Sequence, residues 1–388
     1  VRSPRLAAAA ALAVLILPLS ACRSTPPSDE AAQPFVFREL NLRQRDPQGR
    51  PLWEITSPEA RYDLNRRLAQ ARQLRGVLYQ QGKPLYRVSA SNAVVVNDGE
   101  VVLVEGPTEL VRLDPDRPAV ITARRLRWYP AEERMDIDRA PKAIQGDLEL
   151  TAGLARFRID ADRLELRERP LLRQTGAEPL RLELGPVDWF PGSGALRARG
   201  PVHGNRQLAA GAIQQLSAPS LTGNTRSQTI DLVAPVRLSD PSREASLQAQ
   251  ATRLDLRKRT ASSTLPFEGA YGRSTLRGGS FVLNGNANTV LVRDGCDLRQ
   301  PGDTLTAGQC FWNWKSGAVA ASGGVDLRRQ ANGLSTRAAR LEGLIGRNGR
   351  VVFQTPGGRV TTQLQFPAGP EREGPRRKAA PNSPPFQL

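Results

Sequence analysis

The chain has 388 residues, 55 Lys+Arg against 38 Asp+Glu for a net charge of +17, a single histidine, three cysteines, and only 39% hydrophobic and 5% aromatic residues. One histidine (His203), no cysteine near it, no distinctive carboxylate pair and no phosphate-binding glycine loop leave little for acid–base, nucleophilic, metal or nucleotide chemistry, so an enzyme is not expected. A thin apolar supply spread over a long chain suits an extended sheet better than a thick globule, and the excess of arginine suits nucleic acid, anionic lipid or acidic glycan.

The first element is an apolar run, Leu6 to Leu17, behind Arg2 and Arg5. It is too short to span a bilayer and has the layout of an export signal. Its end, Leu19-Ser20-Ala21-Cys22, resembles a bacterial lipobox. That resemblance implies cleavage before Cys22 and a diacylglycerol on its sulfur, with two or more acyl chains giving lasting membrane attachment. Export removes most of the case for nucleic acid. Residues 1–22 thus read as a lipoprotein signal peptide, and 23–34, a proline-bearing polar stretch, as a tether that reaches about 40 Å when extended.

From Phe35 onward the chain reads as strands. Val94-Val95-Val96, Val101 to Val104, Leu148 to Leu150, Leu180 to Leu184, Leu254 to Leu256 and Val351 to Phe353 are short alternating or β-branched runs, divided by the turn sequences NDGE, PDRP, PGSG, GRNGR and PGG. Asn65 to Gln73 has some helical flavour but fits strand or irregular structure as well. A loose unit recurs, in which an apolar residue, a spacer and an alanine or serine precede an alternating apolar pair: Val88-Ser89-Ala90, Ile121-Thr122-Ala123, Ile159-Asp160-Ala161, Leu216-Ser217-Ala218, Leu305-Thr306-Ala307 and Leu334-Ser335-Thr336. Such units cannot bury an apolar face alone and must stack. Asp160 and Asp162, on one face of a strand, read as solvated polar positions. After Pro367 the chain is rich in Pro, Gly and charge and reads as a disordered tail, 367–388.

Cys296 and Cys310 form an even pair around a Pro-Gly turn signal in an exported chain, so a disulfide, worth about 3 kcal/mol for so short a loop, is the natural pairing; two free buried thiols are the alternative.

Several segments in order, Leu40-Asn41-Leu42, Asp46 to Ile55 (DPQGRPLWEI), Ser57 to Asp63 (SPEARYD), Gly76 to Tyr79 and Tyr86 to Ala90, resemble the LptC family of periplasmic lipopolysaccharide-export proteins, and the recurring unit resembles the wider LptA/OstA group. The resemblance implies an all-β fold, an open twisted β-jellyroll, with an LptC-like segment at 35–165 and a second β-repeat segment at 166–366 in one elongated stack. It implies an apolar seam that receives acyl chains, and the inward set assigned to it is Ile55, Val88, Val94, Val96, Val102 and Val104. Slipping the alternation by one residue would reverse that set. Trp53 and Trp128 read as core.

The expected function is that of a carrier without cofactors, lipid-anchored in the periplasm at the inner rather than the outer membrane. It would take lipopolysaccharide from an inner-membrane ABC transporter and pass it along a β-bridge of LptA-like partners, pairing through strand edges near Phe35 to Gln44 and near Phe366. A structural or acidic-glycan-binding envelope lipoprotein is the alternative.

Overall fold

The computed structural model describes residues 35–363, apart from positions 115, 117, 177, 209–211 and 345–349. Cys22, the signal, the tether and the carboxy-terminal tail lie outside the described residues. Among the described residues every regular element is a β-strand or a single 3-10 turn, and the 34 strands pair antiparallel in one hydrogen-bonded system.

That system is a single ribbon folded lengthwise into two facing sheets. Sheet 1 begins with Leu40–Arg45, which pairs only with Pro51–Ser57, and ends with Thr361–Gln363. Sheet 2 begins with Phe35–Phe37, paired only with Glu59–Asp63, and ends with Val351–Gln354. In between, the chain makes a hairpin in one sheet, crosses to the other, makes a hairpin there and crosses back. Lys142–Gln145 and Leu148–Thr151 form a hairpin of sheet 1, Leu154–Arg158 and Arg163–Arg167 one of sheet 2, and Leu171–Gln174 and Leu180–Glu183 one of sheet 1 again. Each hairpin then pairs with the next one in its own sheet, as Arg163–Arg167 does with Val187–Phe190. With some twenty strands per sheet at ~4.8 Å spacing, the stack is roughly 95 Å long.

The crossings all lie along one edge, which forms a spine, and the local sequence explains why. Pro58, Pro141, Pro170, Pro186, Pro201, Pro219, Pro235 and Pro266 each sit at a crossing between two strands. A proline cannot donate to the ladder, so strand pairing stops there and the chain is free to change sheets. Hydroxyls take up the carbonyls released: Ser57 Oγ donates to the Arg72 carbonyl at 2.7 Å, and Ser263 Oγ to that of Ala251 at 2.7 Å. Near both ends of the stack, long strands bend through the spine instead. Lys83–Val96, Val101–Arg112, Ser274–Asn284 and Ala318–Arg329 each change register at the bend, the last three beside glycines such as Gly106, Gly279 and Gly323.

The stretch Asn65 to Gln73 divides between a turn and the long strand Leu68–Gln80. The interior is one continuous cluster of buried side chains from Ile55 to Trp314, followed by a small one around Ala321 and Leu341. Position 165, the expected segment boundary, falls inside the strand Arg163–Arg167 with the core continuous on both sides. Aromatic rings bridge the sheets edge-on: Trp53 with Trp128 at 5.2 Å, Tyr86 with Phe157 at 5.1 Å and Phe267 with Phe281 at 5.0 Å. The Cys296 and Cys310 sulfurs are bonded to each other, tying Thr289–Gln300 to Gln309–Asn313.

Trp189 is 1% exposed and donates from Nε1 to Thr225 Oγ1 at 3.1 Å. Trp189→Ala should therefore lose about 3–5 kcal/mol of stability in urea unfolding. A loss below ~1 kcal/mol would mean that the middle of the stack is not packed as described.

Candidate lipid slot between the two sheets

The faces of the two sheets that look at each other are apolar because each strand alternates. In Val101–Arg112 the inward positions are Val102, Val104, Thr108 and Leu110; in Arg163–Arg167 they are Leu164 and Leu166. Alternation shifts where a long strand turns the spine. There the inward positions step by three residues, from Ala71 to Leu74, Ala90 to Ala93 and Ala123 to Leu126, or by four, from Val104 to Thr108. The extra residues keep the same strand facing inward after it has changed sheets.

Four of the six residues assigned to the slot from sequence, Ile55, Val88, Val102 and Val104, come together around a cavity of about 20 Å³ closed by Trp128, Leu126 and Met135. Val94 and Val96 do not join them. Both lie beyond the step at Ser91, on the outward face and half-buried, and Val95 takes the inward place. Strict alternation from Val88 carries the wrong parity past that bend. The cavity has room for about one water and no acyl chain. Trp53 and Trp128 are packing residues; the Trp53 indole also donates to Gln44 Oε1 at 2.6 Å.

Opposite the spine, the hairpin turns of the two sheets meet and are clasped by polar contacts. The Gln80 side chain donates to the Asp160 carbonyl at 2.8 Å. Asp162, with its side chain 13% exposed, accepts from Tyr86 Oη at 2.7 Å, Arg112 Nε at 3.0 Å and the Gly192 amide at 3.0 Å. Arg112 also holds Asp114, which pairs with Arg226 of the other sheet. Farther along, Gln145 bonds Thr225 and the Pro191 carbonyl, Gln228 bonds Asp147, and Glu178 takes Arg259 at 2.6 Å and Arg206 at 3.3 Å. A side chain at Gly192 would collide with Asp162 and Arg112, with an added Cβ 2.6 Å from Asp162 Oδ2.

Asp160 and Asp162 thus lie in a turn rather than a strand. Asp160 is exposed, whereas Asp162 is the hub of the clasp, which corrects its reading as a solvated position. In sequence the contacts are 80, 80, 81 and 81 residues apart for Gln80–Asp160, Gln145–Thr225, Asp147–Gln228 and Glu178–Arg259. Strands that leave the spine together therefore reach the margin several rungs apart, so the strands of the two sheets cross steeply. The constant separation means that both sheets advance at one pace. Past Glu178 and Arg259 the slot holds a cavity of about 60 Å³ among Leu180, Leu216, Leu238, Leu254 and Leu256. Burial there depresses the pKa of Arg206, against the attraction of Glu178.

At the two ends of the stack the strands have edges that are open among the described residues. Phe35, Val36 and Phe37 are exposed, Val36 to 62%, and so are Val351 and Val352 at the far end. The pairing edges expected from the sequence are Phe35 to Gln44, which spans the first strands of both sheets, and the strands near Phe366, which lies outside the described residues.

Burial, and then the charge of Asp162, push the Tyr86 phenol well above its ordinary value near 10. A folded pKa above the unfolded one favours the fold fully below pH 10 and progressively less as pH rises through the folded value. Tyr86→Phe should cost about 1–2 kcal/mol at neutral pH and flatten the loss of stability above pH 10. Urea midpoints at pH 8 and pH 11 check this, and an equal alkaline loss in both proteins would rule out Tyr86 as its source.

The family model described as "Lipopolysaccharide-assembly, LptC-related" matches residues 6–169. No curated protein matches the chain. A crystal structure of LptH, described as the LptA homologous periplasmic component of the conserved lipopolysaccharide transport device from Pseudomonas aeruginosa, is similar over 30% of this chain and 82% of its own, at 12% identity and a TM-score of 0.25, a likeness too distant to add to the fold described above. The matched span covers the first strands of both sheets, the bends at Ser91 and Gly106, and the clasp residues Tyr86, Arg112 and Asp162. The amino-terminal part of the chain, residues 6–169, carries an LptC-related domain.

Proposed function

We propose that the protein is a non-catalytic carrier in lipopolysaccharide transport, held to the inner membrane through Cys22, which receives lipopolysaccharide from an ABC transporter and hands it along a β-bridge. The observation that carries the reading is the LptC-related domain at 6–169, whose two sheets run without a break into the rest of the chain. Open strand edges at both ends of the stack support it. Unpaired edges are a liability that a free protein covers, and they are docking surfaces for a further strand. The amino-terminal edge at Phe35 would face the transporter and the far edge an LptA-like partner. The chain has no phosphate-binding glycine loop, so ATP hydrolysis belongs to the transporter.

Acyl chains would travel between the sheets. Since side chains fill that space, carriage requires the margins to part, and the clasp is polar enough to part and re-form without exposing an apolar seam at rest. Arginines at the mouth, Arg206 and Arg259, suit lipid phosphates.

Photo-crosslinking side chains at Ile55, Val88, Val95, Val102 and Val104 should capture lipopolysaccharide in cells, while Val94 and Val96 should not. Capture confined to the outward pair would sink the slot reading. Depletion should strand lipopolysaccharide at the inner membrane; altered envelope polymers with normal lipopolysaccharide export would favour the glycan-binding alternative.

A further inference from the structure

A concavity of about 760 Å³ lies on the outer face of sheet 1, away from the slot. Strand register defines it as two parallel rows. One runs Glu183, His203, Ser217, Arg237, Gln248, Glu268, each residue directly opposite the next. The neighbouring row runs Asn205, Gln215, Ser239, Ser246, Ala270. Short side chains at Ser217, Ser239, Ser246 and Ala270 keep the floor low. On the inner side Gly204 lets its neighbours close in: a Cβ added there would lie 2.5 Å from Leu182 Cδ2 and 3.1 Å from Leu216 Cδ2. The hollow lies on the outer face over the slot cavity of about 60 Å³, with which it shares Gly204, Leu216 and Leu238.

The chemistry of this stretch departs from that of the rest of the surface. Elsewhere many outward positions are arginines and carboxylates paired with each other, as Arg125 is with Asp138, Arg156 with Asp136 and Arg253 with Asp231. The concavity is bounded by two ion pairs, Arg181–Glu183 within one strand at 3.1 Å and Arg277–Glu268 across strands at 2.9 Å. Between them stand hydroxyls, amides and one imidazole, with Arg237 as the one arginine; among the described residues no carboxylate pairs with it. Hydroxyl and amide groups each donate and accept, which matches a chain of sugar hydroxyls. A planar guanidinium with no carboxylate of its own matches a carboxylate or phosphate substituent. One cation between two carboxylates is a poor track for a polyphosphate backbone; Ile213, Leu216, Leu238 and Leu247 line the concavity beside the polar rows.

We propose that the outer face of sheet 1 between residues 183 and 270 binds an acidic oligosaccharide, with its acidic group on Arg237 and its hydroxyls on Ser217, Ser239, Gln215 and Gln248. The site is independent of the lipid slot, since it lies on the other side of the same sheet.

Titration calorimetry on the full chain purified in detergent tests it, with lipid-free tetragalacturonate as the acidic probe and cellotetraose as the neutral one. The acidic probe should bind. Arg237→Gln should weaken the acidic probe about tenfold or more and leave any neutral binding unchanged. Ser246→Tyr, which fills the floor, should abolish binding of both. Both changes are on an exposed face, so melting temperatures should stay at the parent value. Failure of the acidic probe to bind, or binding that neither substitution alters, would overturn the site. So would binding of lipopolysaccharide without binding of the lipid-free probe, because the attachment would then be through lipid. Lipopolysaccharide crosslinking at Val95 should persist in Arg237→Gln, which separates failure of this site from failure of the carrier reading.

Discussion

A strand that leaves a sheet abandons its hydrogen bonds, so a ribbon folded along its length is possible only if every rung breaks on the same line. That line is the spine. Prolines remove the donor that would otherwise be orphaned, serines and threonines such as Ser57 and Ser263 meet the carbonyls left over, and small residues let the two sheets approach at the corner. Near the ends of the stack, where the chain runs through the corner without stopping, glycines with positive φ such as Gly106 and Gly323 take over the task. Either device gives the same result, two faces made by one chain and sharing one interior.

Because the spine fixes one edge, the opposite edge decides whether the interior is open. Turns from strands about 80 residues apart in sequence meet there, and they hold each other through side chains rather than backbone. Asp162 at the hub is largely buried and satisfied by a phenol, a guanidinium and an amide, an arrangement that tolerates no missing partner. A margin closed by polar side chains differs from one closed by a ladder: it can separate without breaking a strand. The packed interior, with a cavity of about 20 Å³ where four of the expected slot residues meet, and the clasped margin describe the same resting state.

The surplus of positive charge is mostly laid out on the outer faces, where arginines pair with carboxylates across strands, as Arg125 does with Asp138, Arg156 with Asp136 and Arg253 with Asp231. Each such pair is worth little in water. Their regularity makes the neutral stretch around Ser217, Ser239 and Ser246 stand out, and there the outer surface changes from a charged lattice to a hydroxyl-lined hollow.

Much of this was legible in the sequence. Two-residue alternation with turn chemistry at short intervals sufficed for an all-β stack, and the residues resembling LptC fall within the span that the family model matches. The inward assignments of Ile55, Val88, Val102 and Val104 follow from alternation because each lies in a stretch of unbroken register, 53–57, 86–90 or 102–105. Val94 and Val96 were misplaced because one residue is added at the bend near Ser91, and a bulge has no period to read. Asp162 looked solvated for a similar reason: its partners Tyr86, Arg112 and Gly192 are brought to it only when turns far apart in sequence meet across the margin. Local pattern thus determined which residues form strands and which face of each is apolar, since pleating acts between neighbours along the chain. The tertiary structure alone decided where the ribbon folds, that its margin is clasped, and that its outer face is hollow, because these depend on contacts between rungs that the sequence separates by tens of residues.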